Sequence, residues 1–331
     1  MAKIVKVEDA IGEMLLHDIT KVDPEKGFKG RIFKKGHVIR EEDVKTLKDV
    51  GKDHIYVFEL DKDEVHENDA AIALSKEIAG ENTYCSKEPK EGKITIYADC
   101  SGVCKVDVEK LYRFNSIGEP SCPTIYNNSV VEKGDKLAAV RIISLMAPKN
   151  EVDKALEVAK GGIVKVVPFE KRSAGLIVTG NEVYHGRIKD KFFEKLKPKL
   201  KELQCDLKTR EILPDDKERI RDKIVEFSKE YDLVILSGGT SVDPDDVTYK
   251  AVKEAGVEGF VRGNPIQPGN MLTFGYIKDT PVVAVPAAAL FFKKTAFDLW
   301  LPRFLIGERV TKEEVLKRAH GGLLEAIKDI R

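Results

Sequence analysis

Three loops combine small, hydroxyl and carboxylate side chains in a way that could bind a phosphate. One predicted strand is followed by Thr179-Gly-Asn-Glu182, a second by Ser237-Gly-Gly-Thr-Ser241 and a third by Val285-Pro-Ala-Ala-Ala289. Two consecutive glycines permit positive φ and let backbone amides approach an anion closely, while Thr240 and Ser241 would add hydroxyl groups. The second loop therefore predicts a phosphate cradle.

Carboxylates follow this cradle closely. Asp243, Asp245 and Asp246 stand between it and Thr248. They would repel a phosphate unless they held a metal ion or accepted hydrogen bonds from the ligand, and Mg²⁺ bridges phosphates with only one or two protein carboxylates. Carboxylates are also favoured at the start of a helix, so a helix cap after a tight turn is the alternative interpretation.

A regular alternation of strands and helices positions these loops. Each predicted strand is apolar throughout, which favours a parallel or mostly parallel sheet covered on both faces. In open sheets of this kind, ligands bind outside the carboxyl ends of the strands. The predicted strands are 174–179, 206–213, 232–237 and 281–286, and the predicted helices are 190–204, 215–230, 247–255 and 287–306.

The first half of the chain follows different patterns. Val5–Ile19 predicts a short amphipathic helix, 31–58 a strand, a helix and a strand, and Asp69–Ala79 a helix capped by Asn68. From Lys93 to Ser144 the apolar residues alternate, which predicts strands. We therefore predict four segments: a mixed α/β segment of residues 1–60, a β-rich middle domain of residues 61–170, an α/β domain of residues 171–310 and a helical tail of residues 311–331.

Composition excludes several classes of protein. Among 331 residues, 56 Lys and Arg balance 56 Asp and Glu, and this balance argues against a dedicated nucleic-acid binder. The longest apolar stretch, Pro281–Phe292, is too short and contains too much proline to cross a bilayer. The first residues become charged too soon for a signal peptide. We expect a cytoplasmic protein that binds neither nucleic acid nor membranes.

The cysteines allow three interpretations. Cys85, Cys100, Cys104 and Cys122 are close in sequence, and Cys205 stands apart. They could bind a metal, supply a reactive thiol or be ordinary half-buried residues. Their spacing matches no common zinc site, which favours the last interpretation.

The stretch from Ser173 to about Gly307 resembles the molybdopterin-binding domain of the molybdenum cofactor biosynthesis family. Molybdopterin molybdenumtransferases, molybdopterin adenylyltransferases and gephyrin-like proteins share that domain. The resemblance implies a doubly wound, three-layer α/β/α domain, here preceded by a small mixed and β-rich region. It rests on five motifs in order: TGNE at 179–182, PDD at 214–216, SGGTSVDPDDVT at 237–248, QPGN at 267–270 and VPAA at 285–288.

The resemblance also implies roles for individual residues. Glu182 and Asp246 resemble the acidic pair that handles Mg²⁺ and the adenylylated pterin, and we expect them to be the catalytic and metal-binding residues. Asp190 resembles an aspartate at the start of a family helix. The residues implied to bind molybdopterin are Thr179, Gly180, Asp190, Asp215, Asp216, Gly238, Gly239, Thr240, Ser241, Gln267, Pro268 and Gly269.

The chain departs from the family at the anion-binding loop. Gln267 and Asn270 occupy the positions of two lysines that would be expected to hold molybdate and anionic pterin groups. Arg187 and Arg262 are near in sequence and could replace them.

Three functions therefore remain open. The chain could be a molybdopterin molybdenumtransferase, which inserts molybdate into adenylylated molybdopterin. It could instead be a non-catalytic carrier or sensor of the cofactor that serves a client molybdoenzyme, or a nucleotide pyrophosphohydrolase of the competence-damage-inducible type. We expect a homo-oligomer in each case.

Overall fold

The computed structural model describes residues 3–23, 25, 27–57, 63–239 and 247–324. The chain divides into two compact units. The first comprises Met1–Cys100 with Cys104–Val166, and the second comprises Ser101–Val103 with Val167–Arg331. Helices and strands occur in both units, which confirms the α/β class. The division into four segments stays a prediction.

Two short antiparallel pairs begin the first unit. β1 (Lys3–Lys6) pairs with β4 (His54–Val57), β2 (Ile19–Asp23) pairs with β3 (Phe28–Phe33), and α1 (Glu41–Asp49) precedes β4. The strand, helix and strand predicted within 31–58 are therefore confirmed for the described residues.

The helix predicted over Val5–Ile19 is wrong. Only Val7–Ala10 form a single 3-10 turn, and Gly12 then takes a φ of 86°. Beyond this turn, Leu15 forms a β-bridge with Val57 and is completely buried. Its apolar side chain is therefore buried by strand pairing rather than by a helix face.

The remaining described elements up to Pro168 lie mostly in the first unit and mix short strands with three helices. The four-stranded sheet has the order β6-β7-β11-β9, the three-stranded sheet has the order β10-β8-β13, and β12 pairs with β5. The elements are β5 (Glu64–His66), α2 (Glu67–Ile78), β6 (Thr83–Cys85), β7 (Ile94–Ala98), β8 (Gly102–Val106), α3 (Val108–Asn115), β9 (Pro120–Ser121), β10 (Ser129–Val131), β11 (Lys136–Ile142), β12 (Met146–Pro148), α4 (Lys149–Ala159) and β13 (Val164–Pro168).

Two predictions in this region need correction. α2 is capped by His66, whose ring accepts a hydrogen bond from the Asn68 amide, and not by Asn68 itself. The alternation from Lys93 to Ser144, which predicts strands, conceals helix α3. Asp107 caps this helix by accepting a hydrogen bond from the Lys110 amide at 2.9 Å, which favours helix over strand at this point.

The second unit contains one six-stranded sheet in the order β15-β14-β16-β19-β18-β17. The first four strands in that order are parallel, and β18 is antiparallel to both of its neighbours, β19 and β17. The strands are β14 (Arg172–Thr179), β15 (Cys205–Leu213), β16 (Leu233–Ser237), β17 (Glu258–Arg262), β18 (Thr273–Ile277) and β19 (Thr280–Val285). The helices are α5 (Asn181–Tyr184), α6 (Phe192–Glu202), α7 (Lys217–Glu230), α8 (Thr248–Glu254), α9 (Ala288–Phe291), α10 (Ala296–Leu305) and α11 (Lys312–Lys317).

Both faces of this sheet are buried. Along β14, Leu176 and Val178 join a core that contains residues of α6 and α10, whereas Ile177 joins a core that contains residues of α7 and α8. Successive residues of a strand point to opposite faces, so helices cover the sheet on both sides. This arrangement confirms the three-layer α/β/α domain.

The long helix predicted over 287–306 is wrong. The structure has two helices here, α9 and α10, separated by an extended residue at Phe292. Thr295 and Asp298 form a capping box that starts α10. Because Thr and Asp stabilise a helix start better than its interior, the local sequence favours two helices.

Among the described residues, none of the helices has the length and apolar character needed to span a bilayer.

Candidate functional site

The predicted loops meet at one edge of the six-stranded sheet. In the parallel registers, Thr179 pairs with Leu213, Val178 with Ser237, and Ser237 with Val285. The loops that follow β15, β14, β16 and β19 therefore leave the same edge. The loop over residues 263–272 joins them, because β18 is antiparallel to β19 and begins at this edge.

Thr179 connects three elements at the centre of this edge. Its side chain is buried, and its Oγ1 donates a hydrogen bond to the Ser237 carbonyl at 3.1 Å. The same oxygen lies 2.9 Å from Oγ1 of Thr248, a completely buried residue that begins α8. The end of β14, the end of β16 and the start of α8 are thus fixed together.

The glycine pair packs directly on these threonines. Gly238 has a φ of 90°, and a Cβ there would lie 2.2 Å from the Thr179 carbonyl oxygen. Gly239 has a φ of 54°, and a Cβ there would lie 2.5 Å from Thr248 Oγ1. Any side chain at either position would clash, so the close approach of the loop to β14 requires both glycines.

Ser237 contributes a polar atom that the fold leaves unused. The residue is completely buried, and its Oγ has no hydrogen-bond partner among the described residues. An unsatisfied buried hydroxyl costs free energy, so this atom is a candidate to bind a ligand at the strand end. We did not single out Ser237 or Thr248 from the sequence, although both are hydroxyl residues at the ends of the SGGTSVDPDDVT motif.

The TGNE turn is held in place by Asp215. The Asn181 amide donates to Asp215 Oδ2 at 2.9 Å, and the Asp215 amide donates to Asn181 Oδ1 at 3.3 Å. Glu182 is exposed, and its carboxylate lies over Gly180, where a Cβ would be 2.7 Å from Glu182 Oε1. Asp215 therefore orients the loop that presents Glu182 at the edge.

Two predicted site residues cap helices. Asp216 Oδ1 accepts hydrogen bonds from the Glu218 and Arg219 amides at 3.0 and 3.1 Å. The Asp190 side chain is 1% exposed; it accepts from the Phe192 amide at 2.7 Å and forms an ion pair with Arg210 at 3.1 Å. These contacts explain both aspartates structurally, and their contact with a ligand stays a prediction.

The Gln267-Pro-Gly segment packs against the start of α10. The Gln267–Pro268 peptide is cis, and the Pro268 carbonyl accepts a hydrogen bond from the Ala296 amide at 3.0 Å. Gly269 has a φ of 102°, and a Cβ there would lie 3.0 Å from that same amide nitrogen. The side chains of Gln267 and Asn270 are exposed.

Positive charge reaches this edge from other elements. The Arg262 guanidinium, at the end of β17, lies 3.5 Å from the centre of the Tyr249 ring, and Tyr249 directly follows Thr248. Lys293 and Lys294 are exposed and precede Thr295, which packs on Gly269. Of these three cations, the sequence had singled out only Arg262.

Three predicted site residues, Thr240, Ser241 and Asp246, lie outside the described residues. Within the described parts of the chain, no group of three or more His, Cys, Asp or Glu side chains could hold a metal ion. Joint binding of Mg²⁺ by Glu182 and Asp246 therefore stays a prediction.

The five cysteines are free thiols. Burial raises the pKa of Cys104 to about 11 and those of Cys122 and Cys205 to about 12. Burial also raises the pKa values of Cys85 and Cys100. Thiols with raised pKa values are protonated at neutral pH and are poor nucleophiles, which favours ordinary structural cysteines. Only Cys85 and Cys100 are half-buried, and the other three are fully buried.

Comparison with known proteins relates most of the second unit to a known family. Residues 175–305 match the family described as "Probable molybdopterin binding domain". These residues belong to that family. The resemblance inferred from the five motifs is therefore confirmed, and we refer to this part of the chain as the molybdopterin-binding domain. Residues 4–59 match a second family, described only as a domain of unknown function.

Curated relatives carry names from the same biosynthesis. The chain is 32% identical over 175 residues to the "Putative molybdopterin biosynthesis protein" of Methanocaldococcus jannaschii, covering 47% of this chain and 42% of that protein. It is 26% identical over 148 residues to the molybdopterin molybdenumtransferase of Haemophilus influenzae, covering 43% of this chain and 36% of that protein. The chain thus spans about four tenths of the length of these relatives.

A solved structure of the molybdopterin biosynthesis enzyme MoaB from Thermus thermophilus is 17% identical, with a TM-score of 0.35. The match covers 41% of this chain and 98% of that structure.

Proposed function

We propose that the molybdopterin-binding domain holds molybdopterin, or its adenylylated form, at the carboxyl edge of the six-stranded sheet. The observation that carries the proposal is the packing of Gly238 and Gly239 on Thr179 and Thr248. The two glycines lie beside the hydroxyl groups of Thr179 and Thr248. Because neither glycine has a side chain, a phosphate can approach the backbone closely here. The family assignment of residues 175–305 supports the same ligand.

The residues around the loop suit the remaining parts of such a ligand. The unpartnered Ser237 Oγ could bond a phosphate or pterin oxygen. Glu182 could accept hydrogen bonds from pterin N–H groups or hold Mg²⁺ together with Asp246. Hard oxygen ligands fit this ion, which would neutralise phosphate charge when bound. Asp215 would act by positioning the TGNE turn.

The proposal is tested by molybdopterin binding to the full chain, followed by the intrinsic fluorescence of the pterin. Gly238→Ala should weaken binding strongly, because a Cβ 2.2 Å from the Thr179 carbonyl displaces the loop. The matched control is Gly256→Ala. Gly256 has a positive φ of 79°, as Gly238 has, but a Cβ there meets nothing within 4 Å. Both variants need a circular dichroism spectrum that matches the wild type. Equal pterin affinity in the two variants would contradict the proposed site.

A carrier is the second candidate, and one observation favours it over a transferase. The neutral side chains of Gln267 and Asn270 are exposed at the ligand edge, where molybdate insertion would benefit from cations. Arg262, at the end of β17, is an alternative source of charge in the sheet. We therefore propose that the chain binds molybdopterin well and inserts molybdate weakly.

A further inference from the structure

The first unit contains a polar cavity that the molybdopterin-binding domain does not explain. Its volume is about 280 Å³, near the lower end of ligand-binding cavities. Segments far apart in the sequence line it: His17, Asp18, Thr20, Glu67, Asn68, Glu91, Gly92, Arg141, Ile143 and Leu145.

Glu67 has no close ion pair in this cavity. Its side chain is 14% exposed, and Arg141 Nη2 lies 3.8 Å from its Oε2, which is beyond hydrogen-bond distance. The carboxylate lies against Gly92, where a Cβ would be 2.0 Å from Glu67 Oε2. Burial raises the pKa of Glu67 above its ordinary value. Arg141 and Lys35 offset this effect only in part, and among the described residues no hydrogen bond is donated to the Glu67 carboxylate, so a ligand ammonium group could supply one.

The other acids of the cavity have partners of their own. Asp18 forms an ion pair with Arg31 at 2.8 Å, and Glu91 forms one with Lys29 at 3.0 Å. Their charges are therefore already balanced. Glu67 and Arg141 remain as one negative and one positive group side by side.

The His17 imidazole adds a hydrogen-bonding group to the same cavity. Nδ1 of His17 is buried and has no hydrogen-bond partner among the described residues. Burial lowers the pKa of His17, so its ring is neutral at neutral pH and can accept or donate one hydrogen bond. Ile143 and Leu145 add apolar surface to the same cavity. A ligand here would meet two opposite charges, one neutral imidazole and an apolar wall.

We propose that this cavity binds a small zwitterion whose ammonium and carboxylate groups are adjacent, of which the α-amino acids are the simplest. The ammonium group lies against Glu67 and supplies the hydrogen bonds that the carboxylate lacks. The ligand carboxylate lies against Arg141, whose side chain is 40% exposed and can form further hydrogen bonds. The cavity volume suits an amino acid and is too small for a nucleotide.

The test measures binding of the standard L-α-amino acids to the full-length protein by calorimetry and by thermal shift. We expect at least one of them to bind saturably. Its N-acetyl and carboxamide derivatives should bind about tenfold or more weakly, because each lacks one of the two charges.

Two variants and two matched controls locate the site. Glu67→Gln and Arg141→Met should each weaken binding about tenfold or more, since each removes one charge-assisted contact. Glu81→Gln and Arg113→Met change exposed residues of the same types in the same unit and should bind as the wild type does. Circular dichroism confirms that each variant is folded.

Two outcomes would overturn the inference. These are no saturable binding of any amino acid at millimolar concentration, or undiminished binding by a folded Glu67→Gln variant. Neither result bears on the pterin site at the sheet edge, because none of the residues of that site lines this cavity.

Discussion

The two candidate sites of this protein are built in opposite ways. The sheet edge of the molybdopterin-binding domain uses glycines, hydroxyl groups and backbone, all within short motifs at the ends of parallel strands. The cavity of the first unit uses polar and charged side chains that lie more than a hundred residues apart, such as His17 and Arg141. A site made by backbone geometry leaves a motif in the sequence, whereas a site made by side chains brought together from distant segments leaves none.

The first prediction has the largest expected effect, and it tests whether the sheet edge lacks the positive charge that the cavity has. The Gln267→Lys, Asn270→Lys double variant should raise molybdate affinity by a factor of about 10² to 10⁴, because two charge-assisted contacts are worth roughly 1.5–3 kcal/mol each once the ligand covers them. The measurement is molybdate insertion into adenylylated molybdopterin with Mg²⁺ at low molybdate concentration. Efficient wild-type insertion, with no gain in the variant, would rule out the carrier.

The second prediction tests how far the stability of the sheet edge and its pterin binding depend on the buried hydroxyl groups. Thr179→Val keeps the shape of the side chain but removes its bonds to the Ser237 carbonyl and to Thr248. We expect a loss of about 1–3 kcal/mol in unfolding free energy and weaker pterin binding. Urea denaturation measures the first effect and pterin fluorescence the second. Thr209→Val, at a half-exposed position of β15, is the control. Unchanged stability would mean that the three elements are held together by packing alone.

A third, smaller effect concerns Arg262. Removing its guanidinium from the Tyr249 ring should cost about 0.5–1 kcal/mol of stability, since the side chain is exposed. We also expect Arg262→Ala to weaken molybdate binding severalfold, and Arg262→Lys to retain most of it, because a lysine ammonium group still supplies a point charge to a small anion. If Arg262→Ala and Arg262→Lys both bind molybdate as tightly as the wild type does, Arg262 does not supply the missing charge.

The smallest effect is a pH dependence confined to the first unit. Burial lowers the pKa of His66 below its ordinary value of 6.5, and its Nδ1 accepts the Asn68 amide hydrogen bond that starts α2. Lys35, Asp69 and His17 are the charged and titratable groups facing it. As the pH falls below 6.5, the unfolded chain takes up the proton more readily, so stability is lost. His66→Asn keeps a cap acceptor that does not titrate.

The measurement is urea denaturation of wild type and His66→Asn at pH 7 and at pH 5.5, and the difference between the two proteins isolates His66. An equal loss of stability in both would assign the pH dependence to groups other than His66, and Glu67 is not one of them. Its raised pKa acts in the opposite direction, because it lowers stability as the pH rises.

The sequence by itself determined the architecture of the molybdopterin-binding domain. Apolar strands alternating with amphipathic helices gave the correct type and approximate position of β14, α6, β15, α7 and β16. Buried parallel strands carry this signal in every residue, because both of their faces must be apolar. The motifs also predicted the edge at which Thr179, Gly238 and Glu182 lie.

Only the tertiary structure decided the rest. Leu15 is buried by pairing with a strand more than forty residues away, so local periodicity over Val5–Ile19 predicted a helix that does not exist. Asp190 and Asp216 match site motifs, but in the structure their carboxylates accept hydrogen bonds from backbone amides at helix starts. Glu67 and Arg141 became neighbours through the packing of α2 beside β11. Side-chain proximity across distant segments depends on the whole fold, and no local pattern of residues encodes it.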